Sequence, residues 1–506
     1  MKNIIKNSLF CCCLLLTTIA FAQKKVPYDI HKKYTAAELK ADLTTLKEQL
    51  ETVHTGLYTY TSKAELAATF AKIAASITQP MTSIEFYRLV APLHLKIRNG
   101  HTMIIPSEDW DNHKETNIPI FPLEVYWAEN KLWVLRNLSK ESNIKEGLSI
   151  HKINGELATD VFNELVDNWT TDGYNRTLPA FVIQSDFGNW YANIKGTPST
   201  FDIEIIDNNN NKERHQLTAL LSKTLNQNSL AKYQLERVPW YRRYDDNLLK
   251  FKIDGNIATM KIPTFDVKSV KKNKQNFKKF YRQSFEKIEK AGVEHLIIDL
   301  RDNGGGDPIP TIELFAHLHD KPFTFYKEIT VNSQKIPSKK LYPNATFFER
   351  LAHPLVLKKE KNVYKPNGLA KLFRVKGLET KKPNSPNYVG KVYVLTDPHS
   401  FSATGEMTSI IKNHHRAIFI GEEPGGNPNT NTSGFRSMLV LPNTNTRVIM
   451  PFWQWEMNVN FENTGHGVLP DYPIRPTVQE VIEGRDVVME FTLDLIKKEG
   501  NKIVPK

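Results

Sequence analysis

Two stretches of the chain hold residue types at spacings that could do chemistry. In the first, Leu296-Ile-Ile-Asp-Leu300 runs through Arg301-Asp302 into Asn303-Gly304-Gly305-Gly306-Asp307. Five residues with no polar face predict a buried strand. Glycines at its carboxyl end leave backbone N–H groups free to point at a ligand, where open α/β sheets bind. A phosphate is excluded as that ligand, because no Gly-Lys-Ser/Thr follows as a P-loop needs. An oxyanion remains. In the second stretch, Val392-Tyr-Val-Leu395 leads through Thr396-Asp-Pro-His-Ser-Phe-Ser402 into Ala403-Thr-Gly-Glu406. Strand, tight turn and small residues opening a helix would expose a serine at the top of a sheet. The next N–H would lie beside it, with the helix N-terminus aimed at it. Ser402 and Ser400 both sit in that turn.

The two stretches as a set, with Gly421-Glu-Glu-Pro-Gly-Gly426 after them and a PDZ-like unit before them, resemble peptidase family S41, which holds the tail-specific and carboxyl-terminal processing proteases and the tricorn protease. The resemblance covers most of the chain beyond its first segment. It implies an α/β core of the ClpP/crotonase-like kind, a peptidase, and Ser402 as nucleophile, with Ser400 as rival; no cofactor is expected, and no metal, because the chain lacks a motif such as His-Glu-x-x-His. The N–H groups of Ala403 and of Gly304 or Gly305 would form the oxyanion hole. The processing branch pairs its serine with a lysine about two dozen residues on, and residues 421–428 hold none. The tricorn-like branch uses a histidine upstream of the PDZ unit. Asn99-Gly100-His101-Thr102 stands at that place, with Arg98-Asn99 where an acidic residue is usual. By resemblance, His101 is the base and Glu462 orients it, with His466 and Asp471 as neighbours. His399, His414 and His415 lie close to Ser402 in sequence but fall on the far side of the following helix. An imidazole base predicts a rate that falls as the pH drops through about 6–7.

These groups need elements to position them. Thr35-x-x-Glu38, Ser62-x-x-Glu65 and Thr82-x-x-Glu85 are three capping boxes, and Leu39, Leu43, Leu46 and Leu50 recur at helical spacing. They predict a helical region over 23–110 that carries His101, with Pro92 ending or kinking the third helix. Residues 111–225 change to strands. Glu124–Trp127 and Lys131–Leu135 flank a turn at Glu129-Asn130, Ile153-Asn-Gly155 closes a strand, and Thr200–Ile206 pairs with Arg214–Thr218. This unit resembles a PDZ domain, which takes an extended peptide onto a sheet edge. Residues 226–506 alternate strands and helices, which predicts a mostly parallel sheet covered on both faces. The lysines at 271, 272, 274, 278 and 279 read as the solvated face of one helix over 268–290, because base-stacking aromatics are not interleaved with them. Pro451-Phe-Trp-Gln-Trp455 would line a substrate pocket or fill the core.

Composition bounds the rest. The chain has 506 residues, 40% hydrophobic and 24% charged, which excludes a wholly disordered chain. Its net charge of +12 is mild at this length and gives no reason to expect nucleic acid. Residues 1–22 open on Met1-Lys2, run apolar to Ile19 and end Ala20-Phe-Ala22. That is the pattern of a secretory signal peptide, too short for stable membrane insertion. The three cysteines, Cys11, Cys12 and Cys13, fall inside it. The rest of the chain therefore has neither disulfide nor thiolate nucleophile. An exported serine endopeptidase, periplasmic or extracellular, acting on protein or peptide substrates is the expected function. A non-proteolytic binding protein on the same scaffold is the alternative, and a hydrolase of another acyl substrate would use the same machinery.

Overall fold

In the computed structural model, residues 28–207, 209–237, 248–373 and 375–501 are described. The signal-peptide reading, and the lipidation or disulfide questions tied to its cysteines, lie outside them. Among the described residues no helix is long and apolar enough to cross a membrane.

The centre is a six-stranded sheet in the order Lys250–Asp254, Ile257–Lys261, His295–Asp299, Lys391–Thr396, Ile418–Gly421, Tyr472–Pro473. All neighbours run parallel except the first pair, a hairpin. Its two central strands are buried over nearly their whole length, because helices cover both faces. Both predicted chemical stretches leave this sheet from adjacent strands at the same carboxyl end.

A second, antiparallel sheet packs beside it, which the alternation of strands and helices had not foretold. It runs Leu357–Glu360, Val363–Pro366, Tyr326–Val331, Arg447–Met457, Thr430–Val440. The aromatic run belongs to its long strand: Phe452 is core, Trp453 donates its indole N–H to His353 Nε2, and Trp455 reaches the cleft described below. A third sheet, over Leu123–Ala128, Lys131–Asn137, Ser149–Ile153, Thr200–Ile206 and Lys212–Thr218, is antiparallel throughout. Glu129 and Asn130 both have φ near +55°, as a two-residue hairpin with right-handed twist demands.

The first region does not stand apart from the sheets. Met103–Ile105, two residues after His101, pairs with Arg447–Ile449 and becomes a strand of the antiparallel sheet. Asp42, on the buried face of the helix Ala36–Val53, accepts bonds from the backbone and side chains of Asn443 and Thr444 at the tip of the same sheet. Two of the three capping boxes are reciprocal. At the third, Glu65 leaves the Ser62 cap to pair with Lys96 at 2.7 Å. Pro92 stands in a 3-10 turn that ends the third helix at Val90. The helix expected over 268–290 is two, Val267–Lys272 and Phe277–Ala291, broken where Lys274 takes φ +57°. Its five lysines are exposed.

Candidate active site

Ser402 stands between the strand Lys391–Thr396 and the helix Ala403–Asn413 with φ +59° and ψ −122°. A non-glycine residue tolerates such a backbone only where its surroundings enforce it, and strain of this kind marks reactive turns. Here Phe401 N donates to Asn303 O and Thr404 N to Phe401 O, so the glycine loop grips the turn from behind. Ser400 is spent on structure. Its Oγ donates to Leu300 O at 2.8 Å and to Asp397 Oδ1, and it is fully buried. Asp397 is itself half-buried, and the loss of water pushes its carboxyl up to about 7.

His101 Nε2 lies 3.0 Å from Ser402 Oγ, across 301 residues of sequence. Its loop is fixed from several sides. Asn99 Oδ1 accepts from His101 N and Thr102 Oγ1, Thr170 Oγ1 donates to Asn99 O, and Gly100 N donates to Asp172 Oδ1 at 2.9 Å. Phe401 stacks on the imidazole at 4.6 Å. The residue is 2% exposed. Burial, and then the charge of Arg436, push its pKa down to about 3, so it is neutral at any ordinary pH. To accept a proton at Nε2 it must carry its own on Nδ1, and among the described residues Nδ1 has no acceptor. Glu462 does not supply one. It is exposed on the loop 460–468, whose neighbouring residues turn to other tasks: His466 Nδ1 and Gly467 N both face Glu423. Asp471 is likewise occupied, by Lys412 and Phe419 N. Among the other histidines, His399 stacks on Phe181 and lines the cleft, whereas His414 meets His319 at a tilt, away from the cleft.

The glycine loop divides its work. Gly305 N donates to Asn303 Oδ1 at 2.9 Å and its carbonyl accepts from Phe265 N at 2.8 Å, so Gly305 offers no free donor. Its role is close approach: with φ +96°, a Cβ there would sit 2.8 Å from Ser402 Cβ and 2.9 Å from Ala403 N. Gly304 and Ala403 flank the serine at the cleft wall, and no N–H of either finds a backbone or side-chain acceptor among the described residues. Gly306, not singled out from sequence, also lines the cleft.

The cleft encloses about 360 Å³. One wall is apolar, from Met103, Trp169, Leu178, Val182 and Phe401. Trp169, Leu178 and Val182 come from the region containing the third sheet, which therefore helps to build the site. The other wall is polar. Glu406, one turn beyond Ser402, accepts from Tyr326 Oη and Asn431 Nδ2, and burial raises its pKa. Arg436 completes that wall. None of these polar-wall residues was identified as functional from sequence, because they come from three separate elements, the strands Tyr326–Val331 and Thr430–Val440 and the helix Ala403–Asn413; only Glu406, inside the quoted motif, carried a signal. A larger depression of about 1390 Å³ lies at the amino ends of the parallel strands, near His295 and Tyr388. It contains no serine.

Set against known proteins, residues 256–474, somewhat less than half of the chain, match the family model of Peptidase family S41, and the chain is a serine peptidase similar to that family. Among solved structures, mature CPAF complexed with lactacystin aligns with a TM-score of 0.60 at 13% identity, over 92% of this chain and 98% of that one. Mature CPAF alone aligns at 0.57 and 12%, over 88% and 94%. At such identities the likeness is one of fold. No curated protein matches the chain.

Proposed function

We propose that this protein is an exported serine endopeptidase in which Ser402 attacks a peptide carbonyl and His101 takes its proton. The observation that carries the reading is the 3.0 Å contact between His101 Nε2 and Ser402 Oγ at a strained strand-to-helix turn. A neutral imidazole in that place can accept the hydroxyl proton and return it to the leaving amine. As the carbonyl oxygen gains charge, the N–H groups of Ala403 and Gly304 receive it, assisted by the N-terminus of the helix Ala403–Asn413. The acyl-enzyme is then hydrolysed by the same steps with water as nucleophile. The region 111–225 acts as a PDZ-like unit that holds an extended peptide and feeds the cleft it helps to wall, and residues 1–22 direct export. The proposed pairing favours the Ser–His over the Ser–Lys branch of peptidase family S41, since residues 421–428 offer no lysine. The alternative of a non-proteolytic binding protein draws on one observation, that among the described residues His101 Nδ1 has no acceptor.

The test compares the protein, Ser402→Ala and His101→Ala on a quenched unfolded-protein substrate and with a fluorophosphonate label. Each substitution is expected to lower kcat by at least about a thousandfold, and Ser402→Ala to abolish labelling. Full activity of His101→Ala would remove it as base. A wild-type protein that neither cleaves nor labels would leave the binding-protein reading.

A further inference from the structure

Arg436 is placed in the cleft by a defect in its strand. In the pairing of Thr430–Val440 with Arg447–Met457, Ser433 opposes Trp453 and Arg436 opposes Pro451: three steps on one strand against two on the other. That is a β-bulge, a device that re-aims side chains beside active sites. Gly434 makes it possible, with φ +77° and an approach to the Trp455 indole that would put a Cβ 2.8 Å from Nε1. Asn431 and Ser433 face the cleft by ordinary alternation. The extra residue then puts Arg436, not Phe435, on that face. Phe435 instead packs against Phe452 and His353.

The guanidinium arrives without a partner. Among the described residues no carboxylate, carbonyl or aromatic ring holds it, although Glu406 lines the same wall and bonds to Tyr326 and Asn431 instead. Arg436 is exposed at the cleft, yet close enough to His101 for its charge to count there. A fixed cation beside an imidazole that must itself become cationic opposes the proposed reaction, unless something anionic accompanies it.

We propose that Arg436 binds a carboxylate of the substrate, so that the preferred peptides carry an acidic group close to the bond cleaved. Resting on the Ser402–His101 reading, this names the substrate class of that site. The planar fork of a guanidinium matches a carboxylate with two parallel bonds. The carboxylate belongs either to an Asp or Glu side chain or to a free peptide C-terminus. Once bound, it also offsets the charge that disfavours the His101 imidazolium, so the contact should aid acylation as well as binding.

The experiment uses pairs of quenched peptides. One set carries Glu or Gln at successive positions with an amidated end, which isolates the side chain. The other ends in a free acid or an amide, which isolates the terminus. Wild type is expected to favour the carboxylate member of at least one set by about ten- to hundredfold in kcat/KM, less at high salt. Arg436→Gln should bring that ratio near one, and Arg436→Glu should turn the preference toward Lys-bearing peptides, which a merely structural loss cannot do. A wild-type ratio near one in both sets, or a ratio unchanged in Arg436→Gln, overturns the proposal. If wild type cleaves nothing, the Ser–His reading fails separately. The same pairs are then titrated onto Ser402→Ala by fluorescence anisotropy, where equal affinity for acid and amide overturns the Arg436 assignment and tighter binding of the acid upholds it.

Discussion

The imidazole of His101 and the two serines of the turn carry different burdens, and each can be read separately. Burial and the Arg436 charge hold His101 at a pKa of about 3, well below the near-neutral value of a solvated imidazole. A base is lost on protonation, so kcat/KM should stay near its maximum as the pH falls through 6.5 and drop only below about pH 5. This revises the limb at about 6–7 that an unperturbed imidazole gives. Removing the cation raises the pKa, so Arg436→Gln should move the acid limb upward. A limb already at 6.5 in the wild type would mean that His101 is solvated in the working enzyme. For the serines, Ser402→Ala removes a half-buried hydroxyl whose partner is the histidine, and should abolish fluorophosphonate labelling at little cost in stability. Ser400→Ala strips a donor from the buried Leu300 carbonyl, which costs about 1–3 kcal/mol, yet the protein should still label. The opposite pattern in labelling and thermal unfolding would make Ser400 the nucleophile.

At the scale of elements, the antiparallel sheet is what joins His101 to Ser402. The strand Met103–Ile105 hangs the histidine loop on Arg447–Ile449, Ile104 N donates to His94 Nε2, and Arg447 binds Pro106 O and Asp111. From the other side Asp172 holds Gly100 N. Asp172→Ala should therefore lower kcat by about tenfold or more through a misplaced imidazole, and Asp172→Asn, which keeps an acceptor, should recover most of it. Equal rates for both variants and wild type would show that Asp172 does not position His101. Much of this level was legible in sequence: the paired strands around Glu129-Asn130, two reciprocal capping boxes, the strand ends at Asn303 and Asp397. What was not legible are partners set by long-range packing. Nothing local marks Asp42 as the acceptor for residues 443 and 444, the bulge at Gly434 as the device that turns Arg436, or Glu462 as exposed rather than beside His101. A period or a motif reports neighbours along the chain, whereas these contacts depend on which distant strand lies alongside.

For the whole molecule, the expected succession of separate units meets a continuous core. Leu39 and Leu46 of the first helix, Leu132, Ile150 and Phe201 of the third sheet, and Leu296 and Val394 of the parallel sheet belong to one connected cluster of buried apolar residues. Domains that unfold independently have cores of their own joined by linkers that few contacts cross. Here the histidine comes from one region, Trp169, Leu178 and Val182 of the apolar wall from a second and the serine from a third, so the site exists only when all three are docked. Calorimetry on the protein without residues 1–22 should therefore show one principal transition, with labelling by fluorophosphonate lost at the same temperature. Asp42→Ala tests the coupling. It leaves the half-buried Asn443 and the buried Thr444 N–H groups without that acceptor, a cost of about 2–4 kcal/mol, at a point distant in sequence from both the serine and the third sheet. If the core is shared, the whole transition and the loss of labelling should shift down together. If instead an early transition splits off while labelling persists to the original temperature, the first region folds as a separate unit, and the attachment of His101 through Met103–Ile105 is not what holds the site together.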